Sequence, residues 1–313
     1  MSKAIERIGS ITVGHVGLGG HGGGIGSVRT LVHDGDTVMV RPLGNLAVRF
    51  LGVDTPEISL PLPGSSAFVR TDHPAWEAFL SDPFAPHLPP IDLDPGLRDY
   101  IAARVGPGCA TNHHRHAEAA ERGLEGEIAS DLASTGLTPE EFRFYVRFSR
   151  EVMDSYGRLL GWINREEASD DRPPTYNHRM MLKGLALPYF IWPNVAPWRR
   201  IGALRDAVPI PGSQARIAET DNRLKQAREW FRANREAGVG VFDTEDPLRL
   251  QAFELRYLTQ RKAPNRWVID LSKADNLLID PQRYYTVENP EDRLFVPDDY
   301  LEQFLAKGWQ IAR

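Results

Sequence analysis

Five side chains that present oxygen crowd into one short stretch of this sequence: Asp34, Asp36, Asp54, Thr55 and Glu57, with Arg49 among them. Hard divalent cations such as Ca2+ and Mg2+ take oxygen ligands, and two carboxylates with a backbone carbonyl and water satisfy them. Arginine beside such a cation suits phosphate, because the guanidinium fork grips pairs of phosphate oxygens and never loses its charge. The same residues also read as punctuation, with Asp34-Gly35-Asp36 as a turn and Asp54-Thr55-Pro56 as a strand end.

Other candidate chemistries are weaker. Gly17-Leu-Gly19-Gly-His-Gly22 matches the dinucleotide fingerprint only formally, since more glycine follows it and then a strand-like run where a helix is required. Cys109, the single cysteine, has no cysteine partner for a disulfide or a thiolate metal site and reads as a bystander thiol. His113, His114 and His116 sit in nearly adjacent positions at a helix start without a suitable fourth ligand, which argues against zinc.

The 313 residues, 42% hydrophobic and 25% charged, describe an ordinary globular chain and exclude a disordered tail, a coiled coil or a collagen-like repeat. No run of about 18 apolar residues is present to span a bilayer, and the opening MSKAIERIGS lacks the apolar core of a secretory signal, so no membrane partner is expected and the expected location is the cytoplasm. The net charge of −5 conceals segregation: residues 58–142 hold five basic against thirteen acidic residues, and residues 143–243 hold seventeen against twelve.

The elements that must carry the oxygen-rich cluster follow from pattern. Residues 1–26 form a glycine-rich segment ending in a loop. Strands are expected at Ser27–Val32, Thr37–Arg41 and Leu46–Val53, the last two joined as a hairpin at Leu43-Gly44-Asn45. That pairing places Asp36 opposite Val53 or Asp54, so two carboxylates reach one end of one hairpin. Residues 58–108 contain nine prolines and only short apolar runs, which predicts a long irregular excursion without a core of its own. Because it is acidic and leaves the chain one residue after Glu57, it is expected to lie over or beside the site and to favour short or single-stranded substrates. Helices are expected at Arg115–Ser134, Tyr176–Leu185 and Gln214–Ala237, and strands at Phe142–Phe148 and Leu159–Asn164. The tail reads as a hairpin, Phe253–Thr259 with Trp267–Leu271, and a closing helix, Asp298–Lys307.

Three segments, Val32-His-Asp-Gly-Asp-Thr-Val38, Val48-Arg-Phe-Leu-Gly-Val-Asp-Thr-Pro-Glu57 and Asp154-Ser-Tyr-Gly-Arg-Leu-Leu-Gly-Trp-Ile163, resemble in sequence and order the signatures of the staphylococcal nuclease (thermonuclease) family. The resemblance covers about 27–57 and 112–243. It implies an α+β fold built on a five-stranded OB-fold β-barrel with capping helices, here a domain of residues 27–243 carrying an insertion at about 58–111 and followed by an extension of unexplained role, 244–313. It further implies a Ca2+-dependent endonuclease acting on DNA, with RNA as an alternative substrate, that leaves 3′-phosphate ends. Asp36, Asp54 and the Thr55 carbonyl would be the calcium ligands. Glu57 would be the general base or the residue that orients the attacking water. Arg49 and Arg158 would hold phosphate and Tyr156 would touch it, while Tyr189 or Phe190, with Trp192, would stack on a base. A catalytically inactive nucleic-acid-binding module on the same barrel is the alternative; degenerate copies lose the acids or arginines, and all are present in this chain.

Overall fold

The computed structural model describes residues 3–8, 11–19, 31–34, 37–154, 156–167 and 172–312. The chain divides into two compact units, residues 1–50 with 147–162, and residues 51–146 with 163–313. The architecture is α+β, with several small sheets and, among the described residues, no closed barrel. No helix of the described residues is long and apolar enough to cross a membrane.

In the first unit, short antiparallel ribbons dominate. Ile5–Ile8 pairs with Ile11–Gly14, and Val16–Leu18 pairs with Val40–Pro42. The glycine tract 13–26 is expected to be loop, yet its described part is largely extended, in Ile11–Gly14 and Val16–Leu18, because Val residues favour strands and the glycines allow close approach. At Gly19 a Cβ would lie 2.7 Å from the side chain of Arg41. The expected hairpin between Thr37–Arg41 and Leu46–Val53 does not form: Val40–Pro42 pairs with the N-terminal ribbon, and Val48–Phe50 runs parallel to Leu159–Gly161. The expected strand 46–53 is interrupted at Leu51, between Val48–Phe50 and Gly52–Asp54, and Gly52 resumes it with a φ of 80°, in the left-handed region where a side chain is disfavoured. The expected strands at 142–148 and 159–164 are present as Phe144–Met153 and Leu159–Arg165.

The second unit is built on a four-stranded sheet ordered Arg266–Asp270, Arg293–Pro297, Leu187–Ile191 and Gly52–Asp54. The first and last pairings are antiparallel, and the central one is parallel, with Phe190 opposite Leu294. Residues of the tail therefore supply half of the sheet that carries Asp54. The tail hairpin expected from sequence is absent, because Phe253–Thr259 lies within a helix, Ala252–Gln260. A capping box starts this helix: the Gln251 N–H donates to Glu254 Oε2 at 2.8 Å and the Gln251 side chain accepts from the Glu254 N–H.

The proline-rich excursion is more regular than expected and packs into a core that it shares with the tail. It forms a ribbon, Ser59–Pro61 with Phe68–Arg70, and two helices, Pro74–Ser81 and Pro95–Ala102, each with proline in its first turn, where a missing N–H costs nothing. Trp76, Leu80, Leu97 and Ile101 are buried in one cluster with Leu250, Leu255, Leu258 and Val268 of the tail. The apolar runs are short because each short helix presents only two or three core positions. The next helix, Cys109–Thr135, starts six residues before its expected position and ends at Gly136, φ 67°. The long helix expected at 214–237 is two, Gln214–Thr220 and Asn222–Ala237, and Asp221 caps the second through Arg223 and Leu224 N–H groups.

Candidate active site

Arg49, Tyr156 and Arg158 stand in the first unit, and Asp54, Thr55, Glu57, Tyr189 and Trp192 in the second. Asp36 lies outside the described residues.

Arg49 sits half-buried on Val48–Phe50, opposite Leu160. Arg158 closes the turn 154–158, where Asp154 accepts from the backbone N–H groups of Tyr156 (2.9 Å) and Arg158 (3.0 Å) through Oδ1. Its other oxygen takes the Arg158 Nε–H at 2.7 Å. Asp154 thus orients Arg158 while leaving its two Nη groups for a ligand, a role the sequence signals only as an Asx turn. Tyr156 is exposed, and the Arg158 guanidinium lies 5.4 Å from its ring centroid.

In the second unit, Asp54 ends the buried strand Gly52–Asp54, paired with Leu187. Its side chain is 3% exposed, and a carboxylate so deep must be charge-paired. The partner is Arg256, from the tail helix. Nη2 donates to Asp54 Oδ2 at 2.6 Å, Nη1 to Asp54 Oδ1 at 3.1 Å, and Nη1 also to Glu57 Oε1 at 2.6 Å. Asp54 and Glu57, separated by Thr55-Pro56, therefore converge on one cation. The flanking carboxylates favour the charged guanidinium against the cost of its burial and raise its pKa further above the ordinary arginine value. Nothing local in the sequence identified Arg256, which lies 202 residues from Asp54 and in a segment read as a strand.

The backbone of Glu57 is clamped on both sides. Its N–H donates to His113 Nε2 at 2.9 Å, and its carbonyl accepts from Thr71 Oγ1 at 3.0 Å. Thr71 Oγ1 also lies 2.8 Å from His114 Nδ1. His116 Nε2 lies 2.9 Å from the Asp246 carbonyl oxygen. The three histidines read from sequence as a discounted zinc motif are thus hydrogen-bonding groups of a helix start, with His113 directed at the Glu57 backbone and His114 at the Thr71 hydroxyl that also meets the Glu57 carbonyl. Among the described residues no group of three or more His, Cys, Asp or Glu is arranged to hold a metal ion. The described donors implied for calcium, the Asp54 carboxylate and the Thr55 carbonyl, are hard oxygens and fit such a cation in kind.

His113 is fully buried, and burial pushes its pKa down to about 3. Its unfolded-state value is the ordinary 6.5. The depressed folded value means that neutral His113 contributes stability above pH 6.5, which is lost as acid protonates the unfolded chain preferentially, between about 6.5 and 3. His113→Gln is expected to flatten the fall in melting temperature across that window relative to wild type; parallel profiles for the two proteins would show that His113 does not set it.

Tyr189 and Trp192 lie in the core. The Tyr189 ring stacks on Phe253 at 5.5 Å and 11°, and its hydroxyl accepts from Arg266. Phe190 packs on Phe231, and fully buried Trp192 donates its Nε1–H to the Ala207 carbonyl at 3.0 Å. At these positions the rings are packed among protein side chains, as expected where a central strand is buried on both faces.

No family model matches the chain. Over 164 residues it is 28% identical to "Endonuclease YhcR" of Bacillus subtilis (strain 168), a segment that makes up 52% of this chain and 11% of that protein. The chain is therefore similar, over half its length, to a small part of an endonuclease.

Proposed function

We propose that the protein is a phosphodiesterase of the thermonuclease type, a Ca2+-dependent endonuclease that cleaves DNA, with RNA as a second candidate substrate. The observation that carries this reading is the convergence of the Asp54 and Glu57 carboxylates on a single cation position, in the segment whose sequence most resembles that family. The similarity to an endonuclease points the same way.

In this reading Glu57 accepts a proton from the attacking water, and His113 and Thr71 fix the loop that aims it. The water oxygen bonds to phosphorus, the bond to the 5′ oxygen breaks, and protonation of that oxygen leaves a 3′-phosphate and a 5′-hydroxyl. Arg158, held by Asp154, and Arg49 grip the phosphate and offset charge growing on its oxygens. Asp36, Asp54 and the Thr55 carbonyl would hold Ca2+, which when bound supplies Lewis-acid stabilisation of the phosphate. Tyr156, exposed next to Arg158, is the phosphate-contacting tyrosine.

Incubation of purified protein with single-stranded DNA, duplex DNA and RNA, in Ca2+ or in EDTA, tests the reading. Cleavage in Ca2+ that stops in EDTA and leaves 3′-phosphate ends is expected; no cleavage of any substrate defeats it. Arg158→Lys keeps a charge but removes the fork, and because a hydrogen bond to a charged group contributes about 1.5–3 kcal/mol, kcat/KM should fall roughly tenfold to a hundredfold. Unchanged kcat/KM in that variant would remove Arg158 from phosphate recognition.

A further inference from the structure

We propose that Arg256 is an internal counter-ion that a divalent cation must displace, so that the tail helix Ala252–Gln260 controls metal entry to the site. The inference rests on the reading of Asp54 as a cation-binding carboxylate.

Three features support it. Arg256 engages both oxygens of Asp54 and one of Glu57. A calcium ion held by Asp54 would need its carboxylate oxygens at about 2.3–2.6 Å, so the guanidinium and the ion compete for the lone pairs of Asp54. Charge gives the same result. Two carboxylates and one arginine leave a single net negative charge, and an ion added beside a guanidinium still in place would meet like charge at close range. The competition has a natural release. The helix backbone is anchored by buried Leu255, Tyr257 and Leu258, while the Arg256 side chain remains 22% exposed and swings on its own torsions without moving the helix.

The arrangement also explains why the tail shares a sheet with Asp54. An inserted arginine spans two carboxylates only if its helix is held in register with the strand bearing them, and residues 266–270 and 293–297 belong to that same sheet.

The test is calorimetric titration of the full chain with CaCl2, for wild type, Arg256→Met and Arg256→Lys, with melting temperatures measured with and without Ca2+. Methionine fills similar space without charge or donors. Removing hydrogen bonds to charged groups should tighten Ca2+ binding by roughly tenfold or more, and Ca2+ should raise the melting temperature of the variant more than that of wild type. Lysine keeps the charge but cannot span both carboxylates, so it should tighten binding less and is the test if the methionine variant fails to fold. Equal or weaker Ca2+ binding in a folded variant overturns the proposal, as does failure of all three proteins to bind the ion. Adding Asp54→Asn to Arg256→Met should abolish the gain; a gain that survives places the ion elsewhere and also overturns it. Cleavage assays run in parallel separate this outcome from the activity itself. Tighter Ca2+ binding by Arg256→Met with no cleavage by any form upholds the counter-ion and rejects the nuclease reading. Cleavage with affinities independent of residue 256 does the reverse.

Discussion

Glu57→Gln is expected to lower the turnover of nucleic-acid cleavage by about 10²–10⁴-fold, the range over which a positioned general base contributes. Glutamine has the shape of glutamate and cannot take a proton from water. The substitution also leaves the backbone bonds from residue 57 to His113 and Thr71 untouched, so the loop should keep its path. Arg256 retains both oxygens of Asp54, and the chain should stay folded. Binding of nucleic acid, measured by fluorescence anisotropy, should therefore change little and should weaken as salt rises, because contacts to phosphate release counterions. The decisive comparison is turnover against binding in a preparation shown free of host nuclease. Full turnover in the Gln variant would remove Glu57 from the chemistry.

Trp76→Ala is expected to destabilise the second unit by about 3–5 kcal/mol, the usual cost of emptying a large buried aromatic site. Trp76 is fully buried, meets Phe79 edge to face with centroids 5.9 Å apart, and donates its Nε1–H to the Val69 carbonyl at 3.0 Å. The alanine variant loses the packing and that hydrogen bond at once. Urea unfolding followed by far-ultraviolet circular dichroism measures the change, and a loss below about 1 kcal/mol, the level of an ordinary surface substitution, would make the excursion peripheral to the fold. For the same reason, replacing residues 60–108 by a short linker is not a clean test of substrate gating. It removes Trp76, Phe79, Leu80, Leu97 and Ile101 from the cluster they share with Leu250, Leu255 and Leu258, and the shortened chain should fail to fold cooperatively.

What was legible in the sequence had a local cause. Asp54, Thr55 and Glu57 were found because their spacing and the proline between them are read within four residues, and the structure brings Asp54 and Glu57 together. The helices 109–135 and 176–182 were found because capping and periodicity act over single turns. What failed was non-local. The pairing of Thr37–Arg41 with Leu46–Val53 was inferred from a good turn, but strand partners depend on which edges compete, and the N-terminal ribbon took Val40–Pro42. The tail segment Phe253–Thr259 alternates well enough for a strand, yet the reciprocal cap between Gln251 and Glu254 and the burial of Phe253, Tyr257 and Leu258 along one side decide for helix. Arg256 carries no local mark at all, because its meaning lies in two carboxylates some two hundred residues earlier.

The strand order of the second unit has a consequence for the history of each molecule. Gly52–Asp54 is held by Leu187–Tyr189, and that strand in turn by Arg293–Pro297, in a parallel pairing that no short turn can make. Contacts so distant along the chain are slow to form, because the entropy of closing long loops is lost before any pairing compensates it. During synthesis, Asp54 therefore leaves the ribosome long before its neighbours exist: its arginine follows some two hundred residues later, and its sheet cannot be completed until residues 293–297 have been made. A chain ended at Asp243 keeps Leu187–Ile191 but lacks Arg256 and both tail strands, so Asp54 should stand in a half-built sheet without its arginine. Protease resistance of this unit should therefore appear only in chains that extend through Pro297.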